Sequence, residues 1–358
     1  QTVLGGSMES IPSIEQIDVD WLSSHFESSF ESKIETQRVG NGQVALCVRY
    51  SLSSNEGAFS FVAKAPSQDE TSRATAKMQQ LYLRETSFYK YLAPTLETRT
   101  PECFYVEHDE EDNFLILLED MAPANVADQF QGITKEMAMT GLKELAGLHA
   151  PTMNDTELHR ADWLGGVSES LAPLMEAILP ALFTQFIERY SDSVDPSLIA
   201  FVKRLSLSLD KFRGYKPYAS CVIHGDFRTD NLLFDAKSGE VPLCVVDWQT
   251  VSVGSPMLDV AYFLTTSLTE QDRNTYEDEL INYYLTELSR LGGSLPLDIA
   301  REEFSRYTLQ PVVMLVCAAV LVEQTERGDR MFMTMIERGI NAATKWNALD
   351  ELEKHAAS

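Results

Sequence analysis

Between Cys221 and Phe234 the chain reads CVIHGDFRTDNLLF: an apolar triplet, a loop in which Phe227 is the one large apolar side chain, then a second apolar run. A stretch this short and this polar does not fit a buried helix. It reads as two short strands joined by a loop that displays His224, Asp226, Arg228, Asp230 and Asn231. A third apolar run, PLCVVDWQ, follows and delivers Asp247 at its end, sixteen residues beyond Asn231. These β-rich pieces interrupt a stretch that is otherwise helical in pattern, so the fold must bring a small polar loop cluster up against packed helices.

The helical pattern runs from Ala122 onward through TKEMAMTGLKELAGLHA, SLAPLMEAILPALFTQFIERY, PSLIAFVKRLSLSLDKF, QDRNTYEDELINYYLTELSRL, the apolar PVVMLVCAAVLV and MFMTMIERGINAATKWNALDELEKH. Before it the pattern differs. An opening helical stretch near SIEQIDVDWLSSHF precedes residues 33–65, which alternate apolar and polar positions around turns at Gly40-Asn41-Gly42 and Asn55-Glu56-Gly57; three antiparallel strands fit. One helix follows, with Met78, Leu81, Tyr82, Glu85, Phe88, Tyr89 and Leu92 at helical spacing until Pro94 stops it. Two strands, PECFYVEHD and NFLILLED, complete a mixed lobe over residues 1–120, and residues 121–358 form a larger, mainly helical one, the boundary lying in EDMAPANV.

With 54 acidic residues against 29 basic ones the formal net charge is -25, which argues against a nucleic-acid partner, since phosphate backbones recruit Lys and Arg. A solvated acidic surface is the plain reading, and attraction of a cationic small-molecule acceptor is the functional one. The five cysteines, Cys47, Cys103, Cys221, Cys244 and Cys317, are scattered without CxxC spacing and sit mostly in apolar runs, as buried thiols in a reducing compartment do. No unbroken apolar run reaches membrane-helix length, and the opening QTVLGGSMES lacks the basic and apolar regions of a signal peptide. Its GGSM is set aside as a leader to a start methionine. The expectation is a cytoplasmic protein with no membrane partner.

Two carboxylates, Asp226 and Asp247, and the Asn231 carboxamide displayed from adjacent loops make an oxygen-rich site suited to Mg²⁺, or one carboxylate takes a proton from a substrate hydroxyl. Phosphoryl transfer uses both roles. Asp and Asn also make Asx turns, so the cluster alone is open to a purely structural reading.

The spacing His-x-Asp-x-x-x-x-Asn at His224, Asp226 and Asn231, followed by Asp247 at a strand end, matches the catalytic-loop and metal-binding pattern of protein-kinase-like folds. Gly225 stands where protein kinases have Arg, so HGDFRTDN resembles the aminoglycoside phosphotransferase and choline kinase superfamily. VVDWQTVSVGSPMLDVAYFL resembles its ecdysteroid-kinase-like branch and that branch's bacterial relatives. The resemblance covers residues 30–330.

It implies an α+β, bilobal protein-kinase-like fold: a small N-terminal lobe with an antiparallel sheet plus a helix, and a larger mainly helical C-terminal lobe. The implied activity is ATP- and Mg²⁺-dependent phosphorylation of a hydroxyl on a small molecule. By the same resemblance Lys64 in FSFVAKAP contacts the nucleotide phosphates, Glu85 pairs with that lysine, Asp226 is the catalytic base, and Asn231 and Asp247 hold the metal. Gly40, Asn41 and Gly42 line the phosphates as a partial glycine loop, with G-x-G but not the full G-x-G-x-x-G. The backbone of Glu119 and Met121 in LILLEDM meets the adenine edge. His224 and Asp259 support the loop and His149 packs at a helix end; Arg228 either contacts phosphate or anchors the loop. A nucleotide-binding pseudokinase without transfer activity and a metal-dependent hydrolase are the rival readings; the second needs neither Lys64 nor a hinge.

Overall fold

The computed structural model describes residues 10–26, 30–40, 44–54, 57–322 and 324–354. Five antiparallel strands build the small lobe: β1 (Phe30–Arg38), β2 (Ala45–Ser54), β3 (Gly57–Pro66), β4 (Cys103–His108) and β5 (Phe114–Glu119), in the order β1-β2-β3-β5-β4. Alternation sorts their side chains onto two faces. Phe61, Ala63, Ala65, Leu115 and Leu117 turn toward one side, where Trp21 and Phe26 of the N-terminal segment cover them. Phe114, Ile116 and Leu118 turn the other way, toward Tyr82, Phe88 and Tyr89. Lys64, out of phase with Ala63 and Ala65, therefore lies on the helix-facing side, paired in register with Cys47 and Ile116.

The single helix anticipated between the third and fourth strands is broken. Glu70–Met78 is one helix and Leu81–Ser87 another, continued by a wider turn over Phe88–Leu92. The break falls at Gln80, whose φ of +52° is left-handed and cannot continue a right-handed helix. Met78, counted into the apolar face, ends up 44% exposed as a result. The N-terminal helix is likewise restricted to Val19–His25, with Asp18 accepting from the Trp21 amide at 2.8 Å as its cap.

The large lobe packs the helix Lys135–Thr152 against Glu270–Arg290, with Pro256–Ser267 buried between these and the later helices Leu297–Tyr307, Gln310–Leu321 and Glu326–Lys345. The polar loop sequence lies where two small antiparallel pairs meet this helical body. They are β6 (Cys221–Ile223) with β9 (Ser252–Gly254), and β7 (Leu232–Ala236) with β8 (Val241–Val245). By length and composition, two helical stretches, Asp162–Tyr190 and Leu297–Leu321, are apolar enough to cross a bilayer, and the second is mostly buried within the protein. A search for unbroken apolar runs passes over both, because charged residues such as Glu176 interrupt the first and Glu302 and Arg306 the second.

Candidate active site

β3 carries Lys64 to the cleft between the lobes, where its ammonium lies 2.7 Å from one Glu85 carboxylate oxygen, 2.8 Å from the other and 3.1 Å from Asp247 Oδ1. Burial alone would lower the lysine's pKa; Asp247 and Glu85 outweigh that and leave it raised, so Lys64 is a cation. Burial acts on Glu85 in the opposite direction, raising its carboxyl, against the pull of Lys64. Asp247 has φ +65° and ψ 68°, a conformation rare outside glycine, where the chain leaves β8 and turns sharply.

The Glu85 helix is tied to that turn. Phe88, three residues after Glu85, stacks on Trp248, and the Arg84 guanidinium reaches the Val251 carbonyl at 3.5 Å.

The loop between β6 and β7 is held through its own backbone. Asp259, fully buried on the helix Pro256–Ser267, accepts the His224 amide at 2.7 Å and the Gly225 amide at 3.0 Å. His149 Nε2 contacts the same carboxylate at 3.1 Å, and His149 Nδ1 meets the Tyr284 hydroxyl at 2.7 Å. A buried carboxylate needs such donors, and three of them reach this one. His149 thus belongs to the hydrogen-bonded frame as well as to the packing.

His224 accepts the Asp226 amide at Nδ1 (3.2 Å), so its Nε2 carries the proton and donates to the Val246 carbonyl at 3.0 Å. Gly225 has φ +84°, and a Cβ there would sit 2.7 Å from the Thr250 carbonyl oxygen, so the position accepts only glycine.

Asp226 and Asn231 face each other across this loop. The Asn231 amide nitrogen donates to the Asp226 carbonyl at 2.9 Å and to its Oδ2 at 3.1 Å, leaving the Asn231 carboxamide oxygen for another partner. Asn231 is carried beside Asp247 by the Val246 amide, which donates to the Asn231 carbonyl at 3.0 Å. The Tyr262 hydroxyl, which the sequence did not announce, donates to Asp226 Oδ1 at 2.9 Å, and Arg228, expected to meet phosphate or to anchor the loop, donates from Nε to the same oxygen at 3.1 Å. Arg228 also pairs with Asp230. Burial would lower its pKa; Asp226 leads the charges that raise it instead.

At the end of β5, the Glu119 side chain is drawn aside by Arg99 at 2.8 Å, by the Glu102 amide at 3.1 Å and by Lys237. The Glu119 amide donates to the Glu102 carbonyl at 2.8 Å and the Met121 carbonyl accepts from the Lys237 amide at 3.1 Å. The Met121 side chain is buried with Ala236 and Cys244. Gly40 has φ +70° with open space around it; Asn41 and Gly42 lie outside the described residues.

The architecture is similar to solved phosphotransferases. The GDP complex of wild-type aminoglycoside 2′-phosphotransferase-IIIa superposes with a TM-score of 0.52 at 16% identity over 86% of this chain and 94% of that one. Choline kinase from Cryptosporidium parvum Iowa II gives 0.53 at 13% identity over 95% and 92%. An aminoglycoside phosphotransferase from Alicyclobacillus acidocaldarius gives 0.50 at 13% identity over 98% and 99%. The fold is therefore the bilobal, protein-kinase-like one of the aminoglycoside phosphotransferases and choline kinases. Residues 43–295 match the ecdysteroid kinase-like family, and the chain belongs to that family.

Curated relatives match over a short stretch. Acyl-CoA dehydrogenase family member 10 of Mus musculus is 51% identical over 41 residues, and family member 11 of Homo sapiens is 45% identical over 42 residues. These stretches are 12% of this chain and cover only 4% and 5% of those proteins.

Proposed function

We propose that the protein is an ATP- and Mg²⁺-dependent kinase that transfers the γ-phosphoryl group to a hydroxyl of a small molecule. The observation that carries this is Lys64, reaching from the small lobe to touch both Glu85 and, across the cleft, Asp247. A hydrolase working through the aspartates alone has no use for such a cation.

In this reading Lys64, oriented by Glu85, binds the phosphates. Asp226 aligns the acceptor hydroxyl and takes its proton as the acceptor oxygen bonds to the γ-phosphorus and the bond from that phosphorus to the β,γ-bridging oxygen breaks, releasing ADP. Asn231 and Asp247 would hold Mg²⁺. Their donor set fits: a carboxylate and a carboxamide oxygen whose amide nitrogen is already committed to Asp226, few enough that phosphate and water complete the shell. When bound, Mg²⁺ neutralises phosphate charge. With the Glu119 amide and Met121 carbonyl already engaged, the Glu119 carbonyl and Met121 amide are the groups assigned to the adenine edge. Gly40 is assigned to the phosphates, as the start of the partial glycine loop that the sequence continues with Asn41 and Gly42. The acidic surface suits a cationic acceptor.

Thermal unfolding with MgATP, MgGTP and metal alone is the first test. Stabilisation by a nucleotide is expected, followed by transfer of label from γ-labelled nucleotide in a screen of small hydroxyl compounds. A protein that no nucleotide stabilises at millimolar concentration overturns the proposal, and one that binds nucleotide but labels nothing is a pseudokinase.

A further inference from the structure

The Asp226 carboxylate is gripped from two directions. Arg228 and Asn231 belong to the same loop as Asp226 and travel with it. Tyr262 does not: it stands on the helix Pro256–Ser267, in a run buried without exception from Asp259 to Ser267. Asp259 lies three residues earlier on that helix, so the two side chains share one helix face. Asp259 takes the His224 and Gly225 amides while Tyr262 reaches the carboxylate of the very next residue. One buried helix turn thereby fixes both the main chain and the side chain of the loop at its critical point.

Building on the reading of Asp226 as the base, we infer that Tyr262 is the positioning residue that sets the orientation of the Asp226 carboxylate toward the acceptor. The phenol is 1% exposed, and a buried hydroxyl of this kind needs an acceptor. Burial first, and then the Asp226 charge, hold its pKa well above the ordinary tyrosine value, so it remains a donor throughout the neutral range. A neutral donor orients a carboxylate without cancelling its charge. Arg228 is a different kind of partner, a cation shared with Asp230. Without Tyr262, Asp226 Oδ1 keeps only Arg228 and Oδ2 only Asn231, both borne by the loop itself, so the carboxylate loses its one side-chain tie to the buried helix and can shift with the loop. Displacements on the order of 1 Å at a reacting group cost about 100-fold in rate.

The test compares Tyr262→Phe, Asp226→Ala and the double variant with wild type. Phe preserves the ring and removes only the donor. Tyr262→Phe should bind MgATP within about twofold of wild type by calorimetry, with unchanged nucleotide KM, while kcat falls roughly 10- to 100-fold, the size of effect seen when a group that orients a reacting residue is removed. A packing role would not produce that split.

A second readout needs no substrate. Tyr262→Phe should lower the Tm of the wild-type protein, whereas in the Asp226→Ala background the shift should shrink to nothing or reverse, because the hydroxyl there has lost its acceptor. Equal Tm shifts in both backgrounds, or unchanged kcat in an active Tyr262→Phe enzyme, overturn the inference. A wild type without nucleotide turnover would sink the kinase reading separately, and the unfolding cycle would still decide whether Tyr262 holds Asp226.

Discussion

Phe88 and Trp248 stack face to face, their ring centroids 3.9 Å apart and their planes 10° from parallel, and both are wholly buried. Phe88 follows Glu85 by one helical turn, and Trp248 directly follows Asp247. The stack therefore joins the two carboxylates that hold Lys64 through a contact neither of them makes.

Phe88→Ala should cost about 3–5 kcal/mol, as large aromatic truncations in cores do. Urea unfolding measures this. Where the variant still folds, its MgATP affinity should also fall, because the Glu85 helix loses its anchor on the Asp247 turn. An unchanged affinity with the stability lost would reduce the stack to packing alone.

Lys64→Met should both abolish turnover and destabilise the protein, by about 3–5 kcal/mol, because it leaves the buried Glu85 carboxylate without its cation. Glu85→Gln added to Lys64→Met should restore much of the stability and none of the activity. Denaturation of the two variants checks the coupling: an equal cost of Lys64→Met in the Glu85→Gln background would show that the pair is not what stabilises the site.

Asp247→Asn should weaken metal-supported nucleotide binding and turnover together, since it removes a full negative charge from the proposed cation site. Asp226→Asn should leave MgATP binding nearly intact and lower kcat by roughly 10²- to 10⁴-fold, as expected for a positioned base. Calorimetric titration of both variants decides the assignment. Equal losses of affinity would move Asp226 into the metal site.

Glu119 carries a pH dependence. Burial would raise its carboxyl pKa, but Lys237, the Glu102 amide and Arg99 hold it below the ordinary value of 4.5. A depressed folded pKa contributes stability that is complete above the unfolded value and is lost as pH falls through the folded one. Glu119→Gln should therefore lower the Tm at pH 7, and the gap from wild type should narrow steadily below pH 4.5. A gap that stays constant down to pH 3 would mean the ion pairs contribute nothing measurable.

The sequence by itself determined the polar loop and the strand that delivers Asp247, because short apolar runs flanking Asp226 and Asn231 admit few local structures and the spacing is rigid. Alternation along the strand also puts Lys64 on the side opposite Ala63 and Ala65, but which side faces the helix was settled by the packing. What depends on contacts between distant segments left no such trace. Gln80 looks like an ordinary helical residue, and only its left-handed conformation reveals the break that exposes Met78. Glu119 looks like a free hinge side chain until Arg99 and Lys237 close on it from either direction in the sequence. Tyr262 reads as one more core aromatic in PMLDVAYFL, since helical periodicity reports that a side chain is buried and says nothing of what its hydroxyl meets. That it meets Asp226, 36 residues earlier in the chain, was decided by the packing of a helix against a loop, which is a property of the folded chain alone.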